Sequence, residues 1–175
     1  MTPTPLAATP PAPVLADQLR AALHDNAVPG RAEGEKSYLK STLAHIGVPL
    51  PAMRALVCNL LRLHPGLDRD TLLELTQELW APPVHESRSC AALLLQGRPD
   101  LLERQDTDYL EQLLRGCQTW AHVDLIAPKV AGTLLLRLPE TAEDARRWSR
   151  DEHQWVHRGG VARRRPHRWA RTLTT

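Results

Sequence analysis

The sequence predicts an all-α fold assembled from consecutive helix pairs, and three observations predict it. Leucine dominates the apolar residues and phenylalanine is absent. Few segments carry the alternating, β-branched pattern that strands require. Apolar residues instead recur three and four positions apart, the spacing that lines one face of a helix.

Residues 1–13 are uncharged and mix Pro, Thr and Ala. They offer neither a helical stripe nor enough apolar bulk to pack, and read as a flexible arm ahead of a helical domain over 14–158. The first helix is predicted over Val14–Asn26, with Leu15, Leu19 and Leu23 on one face, ending before the breaker pair Pro29-Gly30. A helix over about Glu35–His45 turns at the corner 47–51 into a partner over Ala52–His64, with Met53, Leu56, Leu60 and Leu63 inward. The next pair is Asp68–Trp80 and, past Pro82-Pro83, Val84–Leu95; Asp70 and Glu74 suit the positive end of its first helix. Asp108 with Glu111 makes a capping-box-like start for a helix to Cys117, and Trp120–Leu136 is its partner in spite of Pro128. Thr141–Arg150 and a helix from about His153 open a fourth pair.

First helices thus start near 36, 70, 107 and 141, in steps of 34, 37 and 34. A two-helix unit returning at that period predicts an α-α superhelix of HEAT-like helical repeats, about four pairs long. In such an array each pair buries its apolar face on its neighbours and the concave face is the working surface. A compact bundle of similar helices is the alternative.

A formal net charge of +2 conceals an asymmetry. Six of the 22 basic residues, Arg158, Arg163, Arg164, Arg165, Arg168 and Arg171, lie in 158–175, and no acid follows Glu152, so the remainder carries about −4. The bulk of the chain is therefore not a basic nucleic-acid binder, and local patches must carry any such role. The start lacks the basic head and continuous apolar centre of a secretory signal. No apolar run nears the roughly 18–20 residues that span a bilayer, so a cytoplasmic location away from membranes is expected. Cys58, Cys90 and Cys117 are odd in number, far apart and set among apolar neighbours, and read as buried free thiols. No histidine or cysteine pair has metal-ligand spacing, His85-Glu86 included, so neither a metal nor another cofactor is expected.

Trp120 and Asp124 stand four residues apart and share one helix face. An indole π face and a carboxylate both favour positive charge, so the pair suits a cationic ligand or a cation forming in a reaction. A core-plugging Trp and an Asp favouring the helix N-terminus explain the same residues. Trp155 and Arg158 sit three apart, with Trp148 upstream, and the Arg158 guanidinium suits a phosphate. An amphipathic helix with a surface Arg has the same appearance. Lys36, Lys40, His45 and Arg54, around the 47–51 corner, face either a DNA backbone or plain solvent. The stretch 85–94 mixes a polar and a small apolar stripe and reads as close helix packing.

Taken together, several of these segments resemble the alkylpurine DNA glycosylases of the HEAT-like repeat class, the AlkD-type DNA alkylation repair family. The residues that carry the likeness are Tyr38-Leu39-Lys40, then Gly47-Val48-Pro49 with Arg54, then Trp80 with His85-Glu86-Ser87-Arg88. Thr119-Trp120-Ala121-His122-Val123-Asp124-Leu125 and Trp155-Val156-His157-Arg158 follow, in order and spacing over about 35–158. The resemblance implies hydrolysis of the N-glycosidic bond of positively charged N3- or N7-alkylated purines in duplex DNA, on a concave helical surface and without flipping the base into a pocket. Carried over position by position, it makes Trp120 and Asp124 the catalytic pair and Arg158 the third member beside the damaged nucleotide. Trp155 corresponds to a structural aromatic just before that Arg, and Tyr38 to a contact with the lesion-side backbone. Lys40, Arg54 and Arg88 join Tyr38 and Trp155 as DNA-binding positions. A monomer acting on duplex DNA is expected.

Where members of that family continue with further helix pairs past Arg158, this sequence runs into Gly159-Gly160, an Arg-rich stretch and Pro166. Residues 159–175 are expected to be irregular, because the glycines and the proline interrupt the helix the family has there. Abrupt replacement of an amphipathic helix by an Arg-rich segment is what a change of reading frame produces. On that expectation the capping repeats are missing and activity is impaired. The other reading makes the tail's arginines salt-dependent backbone contacts. Against the glycosylase stands a helical-repeat scaffold that binds DNA or a protein partner without catalysis. A Cys or Ser hydrolase has no recognisable nucleophile motif to support it.

Overall fold

Leucine stripes at helical spacing set the architecture, and the computed structural model describes residues 9–162. Among these the structure is helical, with one isolated parallel bridge between Ala44 and Val84. The chain divides into two compact units that meet in sequence between Leu102 and Glu103. No helix among the described residues is long and apolar enough to cross a membrane.

In the first unit, α1 (Ala12–Asp25) buries Leu15, Leu19 and Leu23, the stripe the sequence predicts, together with Ala12 and Ala16. It starts two residues earlier than Val14 because Pro13 occupies the second helical position, where a missing N–H goes unused. Residues 1–8 of the predicted arm lie outside the described residues. The second helix, α2 (Arg31–Leu39), ends at Lys40 in the left-handed region, φ 48° and ψ 43°, well short of the predicted His45. Its sequence is polar and buries only Leu39, so no apolar face carries the helix further. The chain instead crosses as a loop whose Ala44 pairs with the next corner: Ala44 N donates to Pro83 O at 2.9 Å and His85 N to Ala44 O at 2.9 Å.

Helix α3 (Leu50–Leu63) packs mainly on α5 and α1, so the expected first pair of α2 with α3 is replaced by other partners. Its buried stripe runs through Met53, Val57 and Leu60, which turns Leu63 outward to 59% exposure. Helices α4 (Arg69–Trp80) and α5 (His85–Gly97) form the predicted second pair. Asp68 caps α4 by accepting from Thr71 N at 2.9 Å, and Cys90–Leu95 of α5 is buried throughout.

The loop before α3 is fixed by one carboxylate. Glu86, fully buried in the first turn of α5, accepts from the backbone N–H groups of Ile46 (2.9 Å), Gly47 (2.6 Å) and Val48 (3.3 Å). Gly47 stands at φ 92°, and a Cβ there would lie 3.0 Å from Ala32 N and 3.2 Å from Val28 O, so the turn admits only glycine comfortably.

In the second unit, α6 (Asp106–Arg115) packs with α7 (Trp120–Ile126), and α9 (Ala142–Trp148) with α10 (Gln154–Ala162), the third and fourth predicted pairs. The proposed capping box is not formed. The helix starts at Asp106, whose side chain accepts from Glu103 N at 2.7 Å, while Asp108 is exposed and Glu111 turns toward Trp148. The predicted helix 120–136 is interrupted as well: Ala127–Ala131 is a π turn and α8 (Gly132–Arg137) resumes beyond it. Pro128 lacks the N–H that an α-helical bond needs, and a widened turn absorbs that loss.

Helix α10 runs through Gly159-Gly160 to Ala162, where an irregular tail was predicted from 159. The glycines are what let it pack. A Cβ at Gly159 would lie 2.9 Å from Leu114 Cδ1, and one at Gly160 would fall onto the Ser149 nitrogen, with Ser149 Cα and the Trp148 carbonyl carbon 2.7 Å away. Because the obstacle at Gly160 is backbone, Gly160→Ala is expected to destabilise the protein by about 1–3 kcal/mol, the usual range for overpacking. Thermal denaturation measures it, and an unchanged Tm would mean that α10 is not seated on the Ser149 backbone. Residues 163–175, with their arginines and Pro166, lie outside the described residues.

Candidate nucleic-acid site

Thr119, extended at φ −139° and ψ 151°, leads the chain into α7. That helix buries His122, Val123, Leu125 and Ile126, and the register leaves Trp120 and Asp124 half-buried on its other side. Helix α10 packs on α6, α7 and α9 and buries Val156, Gly159 and Gly160, which leaves Arg158 exposed and Trp155 half-buried. The Arg158 guanidinium reaches back across to α7. Its Nη2 donates to Asp124 Oδ1 at 3.1 Å and to Oδ2 at 3.4 Å, and Nε donates to Oδ1 at 3.4 Å. The structure thus brings Asp124 and Arg158 together from 34 residues apart, with Trp120 one turn before Asp124.

Both members of the pair keep nearly half their side-chain surface in water, 47% for Arg158 and 45% for Asp124. An ion pair so exposed contributes roughly 0–1 kcal/mol after screening. It is therefore a weak fastening that a competing anion exchanges readily. Arg158→Ala is expected to weaken binding to duplex DNA and to reduce the slope of log K against log salt concentration by about one, the signature of one lost phosphate contact. A titration series across salt concentrations checks this, and an unaltered slope would remove Arg158 from the interface.

Glu111 is the hub that seats the helices behind this pair. One oxygen accepts from Trp148 Nε1 at 2.8 Å and meets Arg147, the other accepts from Arg115, and Arg115 also donates to Asp151. Burial works to raise the Glu111 carboxyl, but the hydrogen bonds from Arg115 and Trp148, with Arg147 close by, bring it below its ordinary value. A carboxyl lowered by folding adds stability above its unfolded value near 4.5, and that share is lost as the pH falls through the folded value. Stability is therefore expected to drop more steeply below about pH 4.5 in the parent than in Glu111→Gln, as followed by denaturation at stepped pH.

The remaining predicted DNA-binding residues belong to the first unit. Tyr38 is 73% exposed near the end of α2, and Lys40 beside it is exposed. Arg54 on α3 is half-buried, donates to Gln96 Oε1 at 3.4 Å, and lines an open groove with Val57, Cys58 and Arg62. Arg88 turns onto its own corner: Nε donates to Trp80 O at 3.0 Å and Pro82 O at 3.2 Å, and the guanidinium stacks over the Trp80 ring at 5.3 Å. It fastens α4 to α5. Trp148, set beside Arg158 in the sequence reading, is a core residue at 2% exposure. All three cysteines are free, but Cys58 is exposed, because it follows Val57 onto the groove side of α3. Cys90 is buried, and burial with Glu86 nearby pushes its thiol up to about 12, which leaves it inert.

Glu86 and Glu111 were not legible as partners in the sequence, since each acts on residues 37–40 positions away. Only the occurrence of acids on otherwise apolar helix faces signals them.

A family profile described as DNA alkylation repair enzyme matches residues 19–165, and the chain belongs to that family. Its work is accordingly DNA alkylation repair, with DNA as the partner that work implies. No curated protein matches the chain.

Proposed function

We propose that this protein is a glycosylase that hydrolyses the N-glycosidic bond of cationic N3- or N7-alkylated purines in duplex DNA, with Trp120, Asp124 and Arg158 beside the damaged nucleotide. The observation that carries the reading is the half-exposed Asp124–Arg158 pair one helical turn from Trp120. A phosphate draws Arg158 away at little expense, because the pair it leaves is weak. Asp124 then faces the sugar with its negative charge uncompensated.

The chemistry asks little of a general acid. An alkylated purine leaves with the electron pair of the C1′–N9 bond, which cancels its own positive charge. Positive charge develops on the deoxyribose, where the Asp124 carboxylate and the Trp120 π face stabilise it. Water adds to C1′, and Asp124 orients it and takes its proton. Each of these electrostatic contacts contributes about 3–4 kcal/mol to such a transition state. In this reading the chain acts as a cytoplasmic monomer without a cofactor, and Tyr38, Lys40, Arg54 and Trp155 support the duplex.

The test is release of free base from methylated duplex DNA at low salt, against enzyme-free and unmethylated controls. Release above the spontaneous rate, confined to methylated DNA, is the expected result. Salt-sensitive DNA binding without release, from a sample helical and cooperatively folded by circular dichroism, would replace it with the second reading, a binding scaffold. The observation on that side is that Arg158 already neutralises Asp124.

A further inference from the structure

We propose that Glu35, His45 and His85 form a binding site for a first-row divalent cation of the zinc class. Glu35 comes from α2, His45 from the loop that follows, and His85 from the first turn of α5. Each offers one donor atom within 4.8 Å of the other two. Two imidazoles and one carboxylate are a donor set that suits zinc, cobalt or nickel better than calcium or magnesium, which demand more oxygens.

Independent of spacing, the site holds polar atoms with no other work. Both ring nitrogens of His45 and Glu35 Oε2 are buried without a hydrogen-bond partner. Such groups are ordinarily satisfied, because a buried orphan costs about 1–3 kcal/mol. Glu35 keeps its other oxygen on Arg31 at 3.4 Å, so Oε2 is the atom free to turn inward. Burial lowers the His45 imidazole below its ordinary value, with Lys36 adding to it and Glu86 and Glu35 opposing, and burial with His45 alongside pushes His85 down to about 4 against Glu86.

The rings stack at 4.5 Å with an interplanar angle of 7°. Tetrahedral zinc spaces its donors about 3.3 Å apart and lies near the plane of each imidazole. Binding thus requires one ring to rotate out of the parallel stack and the donors to close by about 1.5 Å, within reach of side-chain torsions on a loop and a helix end. The ion would fasten α2 where apolar packing does not: that helix buries only Leu39, yet carries Tyr38 and leads into Lys40.

The experiment uses the full chain, stripped by chelator, in a Cys58→Ser background to remove the exposed thiol as a stray ligand. Zinc is titrated calorimetrically and cobalt by its visible d–d absorption. One equivalent of zinc per chain, a tetrahedral-type cobalt spectrum and a higher Tm with zinc are expected. His45→Gln and, separately, Glu35→Gln are expected to weaken binding by more than about 100-fold, beyond the 10- to 100-fold effect of residues that only support ligands. No stoichiometric zinc in a helical, folded sample overturns the proposal, and so does zinc binding that neither substitution alters. Should His45→Gln fail to fold, the Glu35→Gln result decides alone, since Glu35 lies on α2, a polar helix that buries only Leu39.

Discussion

Asp124→Asn is expected to slow base release from methylated duplex DNA by about 100- to 1,000-fold, the usual consequence of removing one preorganised electrostatic contact. The substitution keeps the shape of the side chain and an oxygen to receive Arg158, so the two helices it joins remain in place. Thermal stability should stay within about 1 kcal/mol of the parent, because the exposed pair contributes no more than that. DNA affinity should hold or rise, since a negative charge leaves the surface proposed to face the phosphates. Loss of rate with stability and affinity retained is the pattern of a group that acts on the transition state. A large fall in Tm would instead make Asp124 a structural residue, and unaltered release would place the chemistry elsewhere.

Glu86→Ala has the largest expected effect on stability. The carboxylate is fully buried and is the acceptor for three successive backbone N–H groups, at Ile46, Gly47 and Val48. Without it those donors lose their partner at once, at about 1–3 kcal/mol for each buried group. Partial hydration of the half-buried Ile46 end offsets some of this, which leaves on the order of 4 kcal/mol. For a chain of this size that corresponds to a fall in Tm of roughly 8–16 °C. Glu86→Gln should fall between the two, because an amide keeps one acceptor and turns its NH₂ toward donors. A loss under about 1 kcal/mol in the alanine variant would show that water replaces the carboxylate at little expense.

Helices with a coherent apolar stripe were legible in the sequence, and what failed did so for identifiable reasons. Leu15, Leu19 and Leu23 gave the buried face of α1 directly, and the breakers at Pro82-Pro83 separated α4 from α5. The end of α2 could not be read, because Lys40 adopts a left-handed conformation that non-glycine residues seldom take and nothing local announces it. The face of α3 was misread by one position because its partners, α5 and α1, are distant in sequence. In the sequence the glycine pair 159–160 has the look of a helix break, whereas close approach of neighbouring atoms explains it.

For the candidate site, periodicity alone put Trp120 and Asp124 on one face. Nothing in the spacing joined Arg158 to Asp124, which depends on how α10 lies against α7. The assembly of Glu35, His45 and His85 was invisible for a similar reason. Metal motifs are recognised as short repeats, and these residues come from separate elements.

Arrays of helices usually fold fast, since most of their contacts are local and little chain must be closed to make them. The Glu86 carboxylate introduces an exception by reaching back 38–40 residues to set the turn that starts α3. That turn cannot settle until α5 exists, and α5 in turn takes the first of its N-terminal backbone bonds from Ala44 in the same loop. Two segments distant along the chain must therefore order together, after the entropy of closing the intervening loop has been overcome. The slow event in folding this protein is thus expected to be a mutual docking, with α4 formed early inside the closing loop and the Ile46–Val48 turn completed last.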